Sequence, residues 1–466
     1  MSELLHEQAG RLAPFLDWLE AEFPRAHPLL VGGAVRDAQL GRTSQDLDLE
    51  VLGLSGEDFE SRVPWPIRRV GKSYDLWLVE LPELGWVELS LEAESVPRDW
   101  QSHWGKLCRR RDFSCNTLAW DPRRQELLDP LRGVEDIQRR QLRLASPTSL
   151  SDDPLRLWRA AQFCARFGWS PEAEFEAAVP AALEGLQRVA AERVTREWEK
   201  LLRLAEHPGD GLEWLRRWGV LARFEPELEA LVGCPQDPQH HPEGDVWTHT
   251  RLVVDQAAAL ARREGLNEEE HLRLMLAALL HDLGKPATTR REGLRVTAHG
   301  HEGAGVAPAR AWLERRHFHQ DIEEAVLVCV SEHMRPSLLT REILEGKLSP
   351  SQRVNALRRL VRDVQRMGWK LFILVCEADK RGRGMEIEEF VPARVLGELM
   401  QEHPVQQLAE QPLLLGRDVL ALGVPAGPEV GQWIRRVEEQ RDEGLLHSRE
   451  QALDWLRLQV TGLTGG

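Results

Sequence analysis

The stretch Leu30–Val51, LVGGAVRDAQLGRTSQDLDLEV, leaves few choices for the fold around it. It reads as a short apolar strand, a Gly-Gly turn, a helix start and a second strand. Gly32 and Gly33 carry no Cβ, so backbone amides there can approach a phosphate closely. Arg36 follows a turn later and can meet the same phosphates. The second strand is expected to carry Asp46 and Asp48, at i and i+2 and therefore on one face. Two such carboxylates repel unless a divalent cation lies between them. An all-oxygen ligand set suits Mg²⁺, which is usually shared with substrate phosphates. A glycine-backed phosphate cradle beside paired carboxylates is the equipment of two-metal nucleotidyl transfer.

Either half of this pattern is weak alone. Gly-Gly turns are common, and Asp-x-Asp is more often a solvated edge. The rest of the chain has to decide. At 466 residues it holds roughly two to four domains with ample core. A net charge of −15 speaks against loose binding to nucleic acid, yet arginines cluster locally, at Arg68-Arg69, Arg109–Arg111, Arg139-Arg140 and Arg216-Arg217. The longest apolar run, Leu274–Leu280, is too short to cross a bilayer, and no basic-then-apolar leader opens the chain. The six cysteines form no C-x-x-C pair, which points to a reduced, cytoplasmic setting and away from a thiolate metal site.

Residues 1–28 read as an amphipathic helix with Leu12, Phe15, Leu16 and Leu19 on one side. Leu76–Leu81 and Trp86–Leu91 read as strands. Glu88, on the second, is either a further acidic neighbour of the metal site or, more simply, an exposed strand residue. In its order and spacing the glycine–carboxylate stretch resembles the first motif of the class II tRNA nucleotidyltransferases and bacterial poly(A) polymerases. RRDFSCNTLA, Arg110–Ala119, resembles their second motif, usually RRDFTINA. There Arg111 can hold a triphosphate, and Asp112 and Asn116 can bond a ribose. DPLRGVEDIQRRQLR, Asp129–Arg143, resembles the third and reads as a hinge.

SDDPLRLWRAAQFCARF, Ser151–Phe167, resembles the family's EDPLRxLRAxRF helix. Asp152 or Asp153 can cap it, and Asp153 and Arg156, at i and i+3, share a face. They offer an acceptor beside a donor, the complement of the edge that cytosine and adenine present and that guanine and uracil do not. Such a pair can choose CTP and ATP without a nucleic-acid template. Arg159 is expected on the substrate phosphates. Asp152 stands where the family usually has Glu, and Gln162 where many members have Arg. RVTREWEKLL, Arg193–Leu202, resembles the next helix and reads as a brace with an Arg193–Glu197 pair. The fold implied is α+β: a mixed-sheet head over 29–145, a helical neck over 146–232, and all-α structure beyond.

From His240 the chain changes character. His249, the pair His281-Asp282 and Asp379 stand in the order H…HD…D, which resembles the HD metal-dependent phosphohydrolase superfamily. Imidazole with carboxylate selects Mn²⁺, Ni²⁺, Co²⁺ or Zn²⁺ over Mg²⁺, and an ion held this way makes water a nucleophile near neutral pH. Lys285 can hold the phosphate under attack, and His301 and His333 can serve a second metal or move a proton. The resemblance implies an HD domain over 233–400, acting on 2′,3′-cyclic and terminal phosphates at damaged tRNA 3′ ends, then a helical tail over 401–466.

The leading expectation is template-independent addition of C, or C then A, to tRNA 3′ ends from CTP and ATP. A poly(A) polymerase, or a phosphohydrolase whose head only binds RNA, are the competing readings. In CCA-adding members a flexible polar loop precedes the second motif. Here Glu92–Arg109, EAESVPRDWQSHWGKLCR, is short and carries Trp100 and Trp104, which favours packing over mobility. A pocket without that lever is expected to stop at CC, leaving the A to a separate enzyme.

Overall fold

The computed structural model describes residues 2–463 apart from 45, 71–75, 94–99, 294, 386, 404–411, 443–444 and 447. The chain divides into two compact units, Met1–Glu197 with Arg217–Gly219, and Trp198–Arg216 with Val220–Gly466.

The first unit starts with two helices, α1 (Ser2–Arg11) and α2 (Ala13–Glu22), where the sequence reads as one. Pro14 lies in the first turn of α2 and cannot donate to a helix running through it. Leu12, Phe15 and Leu19 are buried as expected. Then come β1 (His27–Val31), α3 (Gly33–Gln39), β2 (Asp48–Leu52), α4 (Gly56–Arg62), β3 (Ile67–Val70), β4 (Leu76–Leu81), β5 (Gly85–Glu92), α5 (Trp100–Cys108), β6 (Ala119–Asp121) and β7 (Glu126–Leu128). The strands form one seven-stranded sheet in the order β3-β4-β5-β2-β1-β6-β7, with β2 and β5 parallel. Its register sets a row of cross-strand partners: Arg68 with Leu78, Leu78 with Glu88, Glu88 with Asp48, and Asp48 with Val31. Directly paired residues share a face, so this row defines one side of the sheet. On α5, Trp100 and Trp104 are buried in a core with Leu29, Val31 and Ala119. The earlier part of the expected loop, 94–99, lies outside the described residues.

Past the sheet run α6 (Gly133–Arg139), α7 (Ser149–Asp152), α8 (Arg156–Phe167), α9 (Ala173–Gly185) and α10 (Ala191–Leu204). The structure there is not purely helical: β8 (Gln141–Leu142) pairs in parallel with β9 (Ser170–Pro171).

The second unit is helical: α11 (Pro208–Arg217, its last residue assigned to the first unit), α12 (Val220–Phe224), α13 (Pro226–Glu229), α14 (Val246–Arg263), α15 (Glu268–Leu280), α16 (Lys285–Thr288), α17 (His301–Arg315), α18 (Gln320–Glu332), α19 (Arg335–Leu344), α20 (Pro350–Asp363), α21 (Trp369–Arg381) and α22 (Val391–Glu402). Asn267 and Glu270 close a capping box that starts α15. Its apolar run Leu274–Leu280 is fully buried, packed on α14, α18 and α21. An unexpected hairpin, β10 (Arg290–Glu292) with β11 (Arg295–Thr297), interrupts the helices. The last helices, over Gly416–Leu420, Pro428–Asp442 and Arg449–Leu463, have their own core around Leu414, Trp433 and Leu456. Among the described residues no helix is long and apolar enough to cross a membrane, and the six cysteines are buried without disulfides.

Candidate active sites

In the first unit the turn between β1 and α3 fits the sequence reading. Gly32 adopts φ 71°, and a Cβ there would stand 2.8 Å from Asp48 Oδ2 and 3.9 Å from Arg111 Nη1. Only glycine lets the chain pass this close to the carboxylate. β2 begins at Asp48, so Asp46 precedes the strand instead of lying on it, and it is exposed. Glu88 is also exposed, as the simpler reading has it, yet it pairs in register with Asp48.

Burial, with Glu88 next in weight, pushes the Asp48 carboxyl up to about 6, with Asp46 adding to the rise and Arg111 opposing it. Burial and Asp46 likewise raise Glu88 against the pull of Arg111. This oxygen-only, mutually repelling set is the chemistry that a hard divalent cation relieves. The described residues do not gather these carboxylates as tightly as they do the metal-type groups of the second unit.

The other predicted nucleotide-site residues are largely bonded to one another. Arg111 donates to Glu50 at 2.6 Å and lies over the Trp104 ring. Buried Arg36 donates to Asp37 and Asn116, both at 2.8 Å, with its guanidinium over Phe163 and Phe167. Asn116 donates to Asp112 at 2.8 Å, and Asp112 accepts from Arg159 at 2.6 and 2.9 Å. Burial alone would raise Asp112, but Arg159 and Asn116 hold it below the usual carboxylate range. Arg36, Asn116, Asp112 and Arg159 thus form a continuous chain of hydrogen bonds.

Asp153 lies just before α8, closing α7, and Arg156 opens α8. The two side chains turn to different partners. Asp153 accepts from Arg193 at 2.7 Å, and Arg156 donates to the carbonyls of Ser149 and Arg110 at 2.9 and 2.7 Å. The expected Arg193–Glu197 pair is therefore replaced: Arg193 reaches Asp153, and Glu197 lies 3.7 Å from Arg159. Helical spacing permits an i,i+4 pair but does not impose one when a non-local partner is closer. Glu50 was not singled out from the sequence, and Arg193 was given a different partner, because their actual partners are 61 and 40 residues away.

In the second unit the predicted residues converge. His249 comes from α14, His281 and Asp282 from the turn that ends α15, His301 from the start of α17, His333 from the end of α18 and Asp379 from α21. A Cβ on Gly284 would stand 1.9 Å from the His301 carbonyl oxygen, so only glycine lets this turn meet α17. His249 Nε2 lies 3.1 Å from Asp379 Oδ1 and 3.7 Å from Asp282 Oδ2. Asp282 is also approached by Lys285 at 2.7 Å, His281 at 3.1 Å and His301 at 3.4 Å. Burial alone would raise Asp282 and Asp379; His281 and Lys285 hold the first, and His249 and Arg383 the second, well below the usual range.

Nδ1 of His281, His301 and His333 each faces the carbonyl three residues upstream, at 2.8, 2.8 and 3.0 Å. A carbonyl only accepts, so Nδ1 carries the proton, and Nε2 presents a lone pair whenever the ring is neutral. Burial and then His281 push His333 down to about 4, so it is neutral at pH 7. Its Nε2 is 3.2 Å from that of His301, two acceptors face to face. Among the described residues the buried His281 Nε2 has no hydrogen bond. These orphaned lone pairs fit a cation. The ligating atoms form the groups His249–His281–Asp379 and Asp282–His301–His333, and a third group, His241–Glu243–His249. Glu243 lies 2.7 Å from His249 Nδ1; it stands in the sequence run HHPEGD, where only its neighbours drew notice. A cleft of about 500 Å³ opens over this cluster, lined also by Arg295, Arg341 and Arg383.

Comparison with known proteins follows this geometry. Residues 91–143 match the poly A polymerase head domain, 168–231 the probable RNA and SrmB-binding site of polymerase A, and 246–367 the HD domain. Sheet, neck and histidine cluster together define a nucleotidyltransferase that carries an HD domain. The Multifunctional CCA protein of Xanthomonas campestris pv. campestris strain B100 is 34% identical over 420 residues, 86% of this chain and 95% of that one. The one from Actinobacillus pleuropneumoniae serotype 5b is 33% identical over 78% of this chain and 88% of its own. The chain belongs to this family of CCA-adding tRNA nucleotidyltransferases. Solved structures share the fold. The Bacillus stearothermophilus CCA-adding enzyme in complex with CTP gives a TM-score of 0.60 at 20% identity, covering 96% of both chains. The Thermotoga maritima enzyme complexed with tRNA gives 0.52 at 17%, covering 93% and 92%.

Proposed function

We propose that the chain adds C to tRNA 3′ ends from CTP, stops at CC, and leaves the terminal A to a separate enzyme. The observation that carries the transfer reading is the in-register Asp48–Glu88 pair, with Asp46 close by, beside the Gly32 turn. Asp46 and Asp48 would hold Mg²⁺, which supplies charge stabilisation at the reacting phosphate. Gly32, Gly33 and Arg111 would face the triphosphate; Arg36, Asn116, Asp112 and Arg159 would brace it and the ribose; Asp153 and Arg156 would read the base. The CC end point is supported by the buried tryptophans of α5, which make the described part of the connection a packed helix. The relatives' name, Multifunctional CCA protein, favours the second reading, full CCA addition from CTP and ATP.

The second unit we assign as a phosphohydrolase of cyclic or terminal phosphates on RNA ends. His249, His281, Asp282 and Asp379, with His301 and His333, would hold Mn²⁺, Ni²⁺, Co²⁺ or Zn²⁺, an ion that lowers the pKa of water. Lys285 donates to Gln236 at 2.7 Å and lines the cleft, placed to bind a phosphate oxygen. A cytoplasmic location agrees with free cysteines and with tRNA as substrate.

The deciding assay gives trimmed tRNA to the full-length protein with labelled CTP and ATP, separately and together. Products ending at CC are expected with both nucleotides present; a complete CCA end overturns the end point, and no addition at all overturns the transfer reading.

A further inference from the structure

We propose that a cleft beside Asp46, walled by the N-terminal helix α1 and by Trp86, seats the unpaired 3′-terminal nucleotide of the RNA acceptor. This rests on the nucleotidyl-transfer reading above. The cleft holds about 470 Å³ and is lined by Glu7, Gln8, Arg11, Thr43, Ser44, Asp46, Leu84 and Trp86.

Gln8 carries the argument. It occupies the buried stripe of α1 between Leu5 and Leu12, where an apolar residue is expected, and is only 2% exposed. Among the described residues neither its Oε1 nor its Nε2 has a hydrogen-bond partner. Buried amides are almost always bonded, so an unpaired one on a cleft wall calls for a ligand. An amide offers a donor beside an acceptor, which suits the edge of a nucleobase.

Trp86 supplies the second observation. It is 39% exposed, large for a tryptophan, and Arg68 lies 4.4 Å from its ring centroid. On β5 it stands two residues from Glu88 and so shares that residue's face of the sheet, the face defined by Asp48. An exposed indole backed by a guanidinium is a stacking platform for an unpaired base. The two carboxylates therefore have different neighbours: Gly32 and Arg111 crowd Asp48, whereas the cleft borders Asp46. In-line transfer needs the incoming triphosphate and the nucleotide bearing the 3′-hydroxyl on two sides of the carboxylate pair. The cleft supplies the second place.

The test uses the full-length protein and two 5′-fluorescein RNA hairpins, one blunt and one with a single unpaired 3′ nucleotide. Anisotropy titrations at one salt concentration give a Kd for each. The wild type is expected to prefer the overhang. Trp86→Ala is expected to erode that preference roughly five- to hundredfold, the range for losing one stacked base, Gln8→Leu to erode it as well, and Trp86→Phe to restore it. Gln8→Leu completes an apolar stripe, so a Tm kept or raised shows that its binding loss is not unfolding. With the same hairpin as acceptor, the KM for RNA is expected to rise and the KM for CTP to stay. A wild type indifferent to the overhang, or a preference that survives both variants, overturns the inference. A protein that prefers the overhang yet adds no nucleotide refutes the transfer reading and leaves the subsite standing.

Discussion

Arg193 reaches across from α10 to the carboxylate expected to read the base, while Arg156 is held by two backbone carbonyls. Both partners of the expected template are thereby fixed before any nucleotide arrives. Arg156→Ala is expected to relax the choice of CTP over UTP tenfold or more, because losing a buried hydrogen-bond partner costs ~1–3 kcal/mol. Asp153→Ala should act likewise, and Arg193→Gln, by freeing Asp153, should lower discrimination while leaving the KM for CTP close to wild type. Steady-state kinetics with each nucleotide decide it: unchanged rejection of UTP and GTP in all these variants would end the protein-template idea. At this scale the sequence named candidate residues and not whom they meet. Alternation along a strand is local, so Asp48 and Glu88 could each be placed on a strand, but Asp46 falls before β2 and the Asp48–Glu88 pairing depends on register. Arg111–Glu50 and Asp153–Arg193 were not legible, since only the folded chain brings such distant residues together.

Elements with a strong period were the most legible. β4 and β5 fall where alternation puts them, and the apolar run of α15 is buried throughout. Two features escaped: Pro14 breaks the first helix in two, and the hairpin over Arg290–Thr297 is made of arginine-rich strands only three residues long. Such strands carry too little apolar alternation to stand out. On α14, Asp255 accepts from the Gly209 backbone N–H at 2.7 Å, yet burial pushes its carboxyl up to about 6. Its folded pKa exceeds the unfolded one, so the folded state binds the proton more tightly. The stabilising contribution is full below pH ~4 and is lost as pH rises through ~6. Asp255→Asn should remove this slope. Urea melts at pH 4.5 and 7.5 are expected to show the wild type losing roughly 1–2 kcal/mol more than the variant across that interval. Equal losses would mean that Asp255 does not titrate in this window.

The candidate carboxylates of the sheet and the histidine–aspartate groups lie in separate compact units. His281→Ala with Asp282→Ala is expected to abolish Mn²⁺-, Ni²⁺- or Co²⁺-dependent hydrolysis of a 2′,3′-cyclic phosphate and to spare nucleotide addition. Asp48→Ala should do the reverse, cutting addition at least a hundredfold. Both activities measured on one preparation of each variant check this; joint loss in either would refute the separation. A further expectation concerns removal of the ion. The rings of His281, His301 and His333 are each set by the backbone carbonyl three residues upstream, and Gly284 locks the turn after His281 against α17. Chelation with EDTA should therefore leave the helical circular-dichroism signal and the cooperative melt in place; loss of helicity would show that the ion is needed for folding. Rings already oriented by backbone carbonyls have little to reorganise when an ion enters or leaves. Under metal scarcity a hydrolase of the proposed kind would idle as an intact apoprotein and resume when a suitable divalent ion returned, so its output would follow the supply of that ion rather than fresh synthesis of the chain.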